Sequence, residues 1–227
     1  DPTPLIRLTD VTAARGGSTI WDHGSFTVEP GAIVAVIGPN GSGKTTLLQL
    51  LLGLLEPAHG TIEILGEHPR QGSRRIGYVP QNLDTVRSDS LRARDLVTLG
   101  LTGTRWGVRR TSGADRARIE ETLRAVDALG FAERRMSQLS GGQQQRIAIA
   151  QALVSQPEML ILDEPLASLD IRSQQDLVAL LGRLRDEHGI GVLIVTHDLN
   201  PLLSILTSVI YLLDGHAHYA PVDQVVS

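Results

Sequence analysis

The chain has 227 residues, a formal net charge of −4 and no cysteine. This charge gives no electrostatic reason to expect a nucleic-acid partner, and without cysteine neither disulfides nor thiolate metal sites can form. No apolar run approaches the roughly 18 residues that a membrane-spanning helix needs. We expect no signal peptide, because the first residues contain neither a basic nor an apolar segment. A start at Asp1 rather than Met suggests a trimmed or incomplete N-terminus.

Short apolar runs alternate with helix-length segments along most of the chain. Strands separated by helices predict a layered α/β domain with a mainly parallel central sheet. The runs predicted as strands are residues 5–8, 33–37, 61–65, 76–79, 159–163, 192–196 and 209–213. The segments predicted as helices are residues 45–52, 114–128, 143–154, 173–187 and 199–206.

The segment from about 82 to 138 interrupts this alternation. It contains no strand-like apolar run, is rich in Arg, Asp, Ser and Gly, and shows helical periodicity from Ala114 to Leu129. We interpret it as an inserted helical lobe; the alternative, a long disordered loop, is disfavoured by that periodicity. The chain is thus predicted to be a single domain over 1–227, with a core of about 1–81 and 157–227 and a helical subdomain of about 82–156.

Lys44 is the only lysine in the chain, and it lies in a Gly-x-x-x-x-Gly-Lys-Thr pattern between a predicted strand and a predicted helix. The amides and dipole of a helix N-terminus bind phosphate, and a compact ammonium reaches the β- and γ-phosphates. The pattern predicts a bound nucleoside triphosphate; a glycine-rich turn that binds nothing is disfavoured by the flanking elements. The predicted phosphate-binding residues are Gly38, Pro39, Asn40, Gly41, Ser42, Gly43, Lys44, Thr45 and Thr46.

Two carboxylates, Asp163 and Glu164, follow four apolar residues at the end of a predicted buried strand. Asp163 is placed to hold Mg²⁺ together with the Thr45 hydroxyl, and Glu164 to polarise an attacking water as a general base. A solvated acidic turn would be the preferred interpretation if no phosphate-binding loop were present.

Gln81 and His197 each follow another predicted strand. The neutral amide of Gln81 can ligate Mg²⁺ or orient water. His197 can reach the γ-phosphate or the attacking water. A lone histidine is more often structural, but its position after a parallel strand favours the functional interpretation.

The sequence Leu-Ser-Gly-Gly-Gln at 139–143 opens a predicted helix. Ser140 is a good N-cap residue, and Gly141 and Gly142 leave the first amides exposed, so Ser140, Gly141, Gly142 and Gln143 form a second potential phosphate site. The chain thus has two helix ends that can bind phosphate but only one lysine. This suggests a two-fold dimer in which the helix end of one copy completes the phosphate-binding loop of the other, with nucleotide between the copies. The alternative is an ordinary capped helix.

These motifs, in this order, resemble the nucleotide-binding subunits of ATP-binding cassette transporters over essentially the whole chain. The resemblance implies a P-loop ATPase fold with an N-terminal antiparallel β part, and a bound ATP with Mg²⁺. It makes Gln81 the Q-loop glutamine, Asp170 part of a D-loop that supports communication across the dimer, and His197 the switch histidine. It also implies a sandwich dimer that closes on ATP and opens on hydrolysis.

The same resemblance implies partners at a membrane. The Gln81 region and the helical lobe would contact a transmembrane permease, an extracellular substrate-binding protein would be an indirect partner, and the chain would lie peripherally at the cytoplasmic face of the plasma membrane. The chain departs from the family at one position. The family has an aromatic residue that stacks on adenine, and this chain has Arg15 at that place. A guanidinium can also stack on a base, whereas nearby Trp21 is expected to lie in the core.

The runs at 95–100 and 197–203 resemble ATPase subunits of manganese, zinc or iron importers, which predicts import of a divalent metal. Import of a siderophore, vitamin or other small solute is the alternative. A soluble cassette ATPase of DNA repair or translation is disfavoured by the single cassette, and a small-molecule kinase or GTPase does not explain residues 139–143. His216 and His218 are interpreted as part of a solvated turn rather than a metal site.

Overall fold

The structure is a computed structural model that describes residues 2–83, 90–102 and 112–225. Its strands are β1 (Ile6–Arg15), β2 (Ser18–Val28), β3 (Ile33–Ile37), β4 (His59–Ile64), β5 (Ile76–Val79), β6 (Met159–Asp163), β7 (Gly191–Val195), β8 (Ser208–Leu213) and β9 (His216–Pro221). The helices are α1 (Lys44–Leu51), α2 (Ala93–Thr102), α3 (Gly113–Ala125), α4 (Gly141–Leu153), α5 (Ile171–His188) and α6 (Val222–Val225).

The strands form one mixed sheet in the order β4-β1-β2-β9-β8-β3-β7-β6-β5. Strands β8, β3, β7, β6 and β5 run parallel to their neighbours in that order. Their residues alternate between two cores: Ala35 and Ile194 pack on one face of the sheet, and Val36 and Leu193 on the other. Burial on both faces explains the continuous apolar runs and confirms the prediction of a mainly parallel α/β sheet.

The other end of the sheet is antiparallel, as the predicted fold class required. β1 pairs with β2 and β4, and β8 pairs with β9. A single parallel pair, Asp22 with His216, joins β2 to β9 and so links the two parts. Trp21 of β2 is fully buried in the core beneath α1, which confirms its expected place.

One predicted helix differs from the structure, and some elements of the structure were not predicted. The predicted helix at 199–206 is wrong: it contains a single 3₁₀ turn over Asn200–Leu202. The Asp198 carboxylate accepts the Asn200 amide at 2.9 Å, and Pro201 has no amide to donate, so the chain turns locally. Strands β2 and β9 and helices α2 and α6 were not predicted from the sequence, and His216 and His218, interpreted as part of a turn, lie on β9.

Helices α2, α3 and α4 lie between β5 and β6 in the sequence and share a core with one face of the sheet. The predicted helical subdomain of 82–156 includes residues 84–89 and 103–111, which lie outside the described residues. The division into core and subdomain therefore stays a prediction. No helix in the described ranges is both long and apolar enough to span a membrane.

Trp21 is expected to be a main contributor to the stability of the antiparallel part. Replacing it with Ala removes a fully buried ring and should lower the free energy of unfolding by about 3–5 kcal/mol. Its indole nitrogen has no hydrogen-bond partner, so Trp21→Phe should cost less than about 1.5 kcal/mol. Urea unfolding of both variants tests this, and equal losses would contradict it.

Candidate nucleotide-binding and hydrolysis site

The carboxyl ends of four adjacent parallel strands bring the predicted site residues together. Val195 of β7 pairs with Val36 of β3 on one side and with Asp163 of β6 on the other. On the next strand, β5, Val79 pairs with the residue that precedes Asp163. The phosphate-binding loop follows β3, Thr196 and His197 follow β7, Glu164 follows β6, and Gln81 lies two residues beyond β5. Parallel register thus explains how residues distant in sequence meet at one edge of the sheet.

The loop from Gly38 to Thr45 depends on backbone conformations that favour glycine. Gly41 has φ 83°, and Gly43, the residue before α1, has φ 98°. A Cβ at Gly43 would lie 2.5 Å from Ile20 Cγ2 and 2.8 Å from Trp21 Cδ1, so β2 supports the loop from below. Sequence reasoning missed this support, because nothing in the sequence shows that β2 passes under the loop.

The amides of the first turn of α1 point out of the helix. The first hydrogen bond of the helix runs from the Leu47 amide to the Gly43 carbonyl at 2.8 Å. The amides of Lys44, Thr45 and Thr46 come before it, so they have no acceptor within the helix. Thr45 is exposed, whereas the Thr46 side chain is buried and only its backbone faces the loop. With the positive end of the helix dipole, these amides fit a phosphate group.

The Lys44 ammonium lies inside the loop. Its Nζ donates to the Gly38 carbonyl at 2.6 Å and to the Pro39 carbonyl at 3.1 Å. An ammonium has three N–H donors, so one remains for a phosphate oxygen. The predicted role of this side chain fits its position, half-buried at the centre of the cradle.

The Asp163 carboxylate has an unfavourable electrostatic environment. Burial raises the pKa of its carboxyl above the usual range, the neighbouring Glu164 charge raises it further, and the Lys44 ammonium opposes both. A divalent cation would offset the repulsion between these carboxylates, so the site fits Mg²⁺. Thr45 and Gln81, both exposed near the same edge, are the other predicted ligands.

Glu164 has a strained backbone and a well-defined side chain. Its φ is 49°, in the left-handed region, and its amide donates to the Val195 carbonyl at 2.9 Å. His197 Nδ1 lies 2.9 Å from Glu164 Oε2. An ionised carboxylate can only accept, so this nitrogen carries the proton and donates it. The structure therefore brings the predicted general base and the predicted switch histidine into direct contact.

The second predicted phosphate site is a capped helix end. The Ser140 hydroxyl accepts the Gln143 amide at 3.3 Å, and the Gln143 side chain accepts the Ser140 amide at 3.1 Å. Ser140 and Gly141 are exposed. Within the described part of the chain, no hydrogen bond joins residues 139–143 to the loop around Lys44, so one copy does not bring the two ends together.

Asp170 caps the next helix, α5. Its carboxylate accepts the Ser173 amide at 3.0 Å and the Ser173 hydroxyl at 2.9 Å. These hydrogen bonds hold the pKa of the Asp170 carboxyl below its usual range, and the bond from the Ser173 amide has the larger effect. Asp170 therefore fixes the backbone conformation of its loop, and its predicted role in communication stays a prediction.

Arg15 and the two C-terminal histidines lie on exposed parts of the antiparallel sheet. Arg15 ends β1 opposite Ser18, and no hydrogen bond or ion pair restrains it among the described residues. His216 Nδ1 lies 3.0 Å from Asp22 Oδ1, and His218 stacks on Tyr211. No group of three or more metal-binding side chains is found in the described ranges.

A cavity of about 460 Å³ lies away from the predicted nucleotide site. Its lining includes Leu5, Arg118, Leu153, Glu158 and Ile190. Glu158 and Ile190 immediately precede β6 and β7, so this cavity lies at the amino ends of the strands. The predicted phosphate site is the open cradle at the opposite edge.

Comparison with known proteins identifies the family. The family model described as "ABC transporter" matches residues 21–167. The zinc import ATP-binding protein ZnuC of Pseudomonas fluorescens is 40% identical over 208 residues, covering 92% of this chain and 73% of that protein. The ZnuC of Paramagnetospirillum magneticum is 38% identical over the same shares. This chain belongs to the ATP-binding subunits of ABC transporters, and it binds and hydrolyses ATP.

Solved structures agree with this assignment. A subunit of a metal-chelate type ABC transporter in an inward-facing conformation superposes with a TM-score of 0.86 at 27% identity, covering 99% of this chain and 86% of that one. A dimeric ATP-binding cassette with ADP and Pi, 31% identical, gives a TM-score of 0.77 over 96% of this chain and 98% of that one. These similarities confirm the predicted P-loop ATPase fold.

The strain at Asp163 predicts a stabilising substitution. The pKa of the Asp163 carboxyl is higher in the folded chain than in the unfolded chain. The free energy of unfolding therefore falls as the pH rises from the unfolded pKa to the folded pKa. Asp163→Asn should therefore raise the free energy of unfolding at pH 7 without Mg²⁺ or ATP, and the gain should vanish towards pH 3. Urea unfolding measures it, with the exposed-turn variant Asp214→Asn as control. A less stable Asp163→Asn protein at pH 7 would contradict this account.

Proposed function

We propose that this chain is the ATP-hydrolysing subunit of a divalent metal importer, with zinc as the first cargo to test. The support comes from its 40% identity to a zinc import ATP-binding protein over 92% of its length. The catalytic edge retains each residue type that ATP hydrolysis needs, since Lys44, Asp163, Glu164 and His197 all follow adjacent strands or their loops. The cargo itself is proposed to stay within a separate permease.

The proposed roles follow from the positions of the side chains. The amides of the loop at 38–46 and the Lys44 ammonium hold the phosphates, and Lys44 stabilises charge on the transferred phosphoryl group. Thr45, Asp163 and Gln81 hold Mg²⁺. When bound, this ion neutralises charge on the β- and γ-phosphate oxygens. Arg15, exposed at the end of β1, is available to stack on the base.

Glu164 is the proposed general base for the attacking water. Its carboxylate accepts a hydrogen bond from His197 Nδ1 through one oxygen, which leaves the second oxygen to accept a proton from water. The Glu164 amide is bonded to the Val195 carbonyl, so the backbone cannot rotate freely away from the site. His197 then orients the base and presents its other ring nitrogen to the γ-phosphate.

The proposed active form is a two-fold dimer with ATP between the subunits. The exposed helix end at Ser140 and Gly141 forms no hydrogen bond with the phosphate-binding loop of its own chain within the described residues. It is proposed to meet the loop of a second copy. In such an arrangement Ser140, Gly141, Gly142 and Gln143 contact the partner's γ-phosphate. A related cassette, 31% identical, is dimeric with ADP and Pi.

The proposed permease contact lies beside Gln81. Leu54 and Tyr78 are large apolar side chains with exposed fractions of 52% and 40%. Both line a groove of about 210 Å³ that Leu52, Ile76 and Arg70 also line. Exposed apolar side chains beside the loop of a proposed Mg²⁺ ligand would couple permease contact to catalysis. This contact would hold the chain at the cytoplasmic face of the membrane.

The dimer is tested by the Glu164→Gln variant. Glutamine preserves the shape of the side chain but cannot take a proton from water, so ATP should bind without being hydrolysed. We expect the variant to elute as a dimer in gel filtration with ATP and as a monomer without it. A variant that stays monomeric at saturating ATP would overturn the sandwich arrangement.

The second phosphate site is tested in the same background. A bulky cation at Ser140 blocks the helix end that the partner's nucleotide would contact. Ser140→Arg should therefore leave ATP binding to the phosphate-binding loop within about twofold, lower turnover by at least about 100-fold, and prevent dimerisation of Glu164→Gln. Unchanged turnover would remove Ser140 from the site.

Cargo is tested by measuring cellular zinc, manganese and iron in cells that lack the chain. Selective loss of zinc that the wild-type gene restores, and that Lys44→Ala or Glu164→Gln does not, is the expected result. Selective loss of manganese or iron would support the divalent-metal proposal but replace zinc as the cargo. Normal levels of all three would overturn the import of these metals and favour the alternative cargo, a vitamin or other small solute.

A further inference from the structure

Two helix-capping loops of this chain are held by the same hydrogen-bond pattern. The first is the signature loop, defined here as Leu139–Gln143, which leads into α4. The Gln144 side chain turns back and donates through Nε2 to the Met136 carbonyl at 3.0 Å and to the Leu139 carbonyl at 3.1 Å. Its own amide donates to the Ser140 carbonyl at 2.9 Å.

The second is the D-loop, defined here as Ser168–Asp170, which leads into α5. The Gln174 side chain donates through Nε2 to the Leu166 and Leu169 carbonyls, both at 3.2 Å. Its own amide donates to the Asp170 carbonyl at 2.9 Å. In both loops the glutamine stands four residues after the N-cap, and its side chain bonds the carbonyls one and four residues before that cap.

The two loops also touch each other within one chain. A Cβ at Gly142 would lie 2.9 Å from Ser173 Oγ and 3.1 Å from Ser173 Cβ, and one at Gly141 would lie 3.6 Å from Leu169 Cδ2. Ser173 is in turn held by the Asp170 carboxylate, which accepts both its amide and its hydroxyl. A displacement of either loop would therefore push the other.

We propose that Gln144 and Gln174 are positioning residues that hold the signature loop and the D-loop as one rigid unit against the partner's nucleotide. The inference rests on the proposed ATP-sandwich dimer. Neither glutamine needs to touch ATP: each acts through the loop whose carbonyls it bonds. The unit presents the Ser140 hydroxyl and the glycine amides in a single arrangement when two copies meet.

The chemistry of the two side chains supports this role. A glutamine amide has two N–H donors, and each of these glutamines bonds one carbonyl within its loop and one just before it. Both side chains are half-buried, so the hydrogen bonds are shielded from water only in part. Losing them should affect the fold mildly, while a shift of about 1 Å in a group that contacts the transferred phosphate can lower a rate about 100-fold.

The test compares variants that remove the donors with variants that keep the shape. Gln144→Met and Gln174→Met keep an unbranched side chain without N–H groups, and Gln144→Glu and Gln174→Glu keep the shape but place a charge against the carbonyls. We expect each to lower kcat for ATP at least about tenfold, with KM within about twofold because the phosphate-binding loop is untouched. Wild-type kcat in the Met variants would overturn the inference.

Gln175→Met is the matched control, because Gln175 is adjacent to Gln174 on α5 and is exposed. It should retain wild-type kcat; a loss equal to that of Gln174→Met would show a general effect of the substitution and overturn the positioning role. Thermal unfolding checks the fold of every variant. Should a Met variant fail to fold, its Glu counterpart, which is isosteric, decides in the same way.

The double variant Gln144→Met/Gln174→Met tests whether the loops form one unit. If they do, the combined loss in kcat stays near that of one substitution, about tenfold, and a loss near the product, about 100-fold, would contradict a shared unit. Dimerisation of the Glu164→Gln protein distinguishes a failure of this inference from a failure of the proposed function. Failure of that protein to dimerise with ATP would overturn the sandwich, whereas a normal dimer with fully active glutamine variants would overturn this inference alone.

Discussion

Burial of the parallel sheet on both faces is the constraint on which the rest of this structure depends. Side chains of β3, β6 and β7 point into one of two apolar cores, so none of these three strands has a solvated face where polar chemistry could develop. Polar and charged groups can emerge only where the strands end. The neighbouring strands are parallel and in register, so their carboxyl ends form one edge of the sheet. Side chains from distant parts of the sequence meet at this edge.

That edge is electrostatically and conformationally strained in the absence of ligands. Asp163 is half-buried beside a second carboxylate, Glu164 has a left-handed backbone, and the Lys44 ammonium bonds the carbonyls of its own loop. The arrangements at Asp163 and Glu164 cost stability, and ligand binding at this edge would offset part of that cost. Strain of this kind is typical of catalytic sites, where groups are held for a ligand rather than for the folded chain.

Local sequence patterns predicted which residues lie at the carboxyl edge of the sheet, because these residues belong to short motifs at strand and helix ends. The sequence did not predict β2, whose pairing with β1 has register shifts that break the period-two pattern. It also missed the support that Trp21 and Ile20 give to Gly43, since this contact depends on non-local pairing. The equal spacing of Gln144 and Gln174 from their caps is visible in the sequence, but only the structure shows which carbonyls they bond.

The position of Lys44 has a practical consequence for following this protein in solution. The ε-amine is the single lysine amine of the chain, and it lies within the phosphate cradle, bonded to the Gly38 and Pro39 carbonyls. A reagent directed at lysine amines therefore has one side-chain target, and its rate of labelling reports directly on the state of that loop. The chain thus carries a built-in chemical reporter, with no engineered probe required.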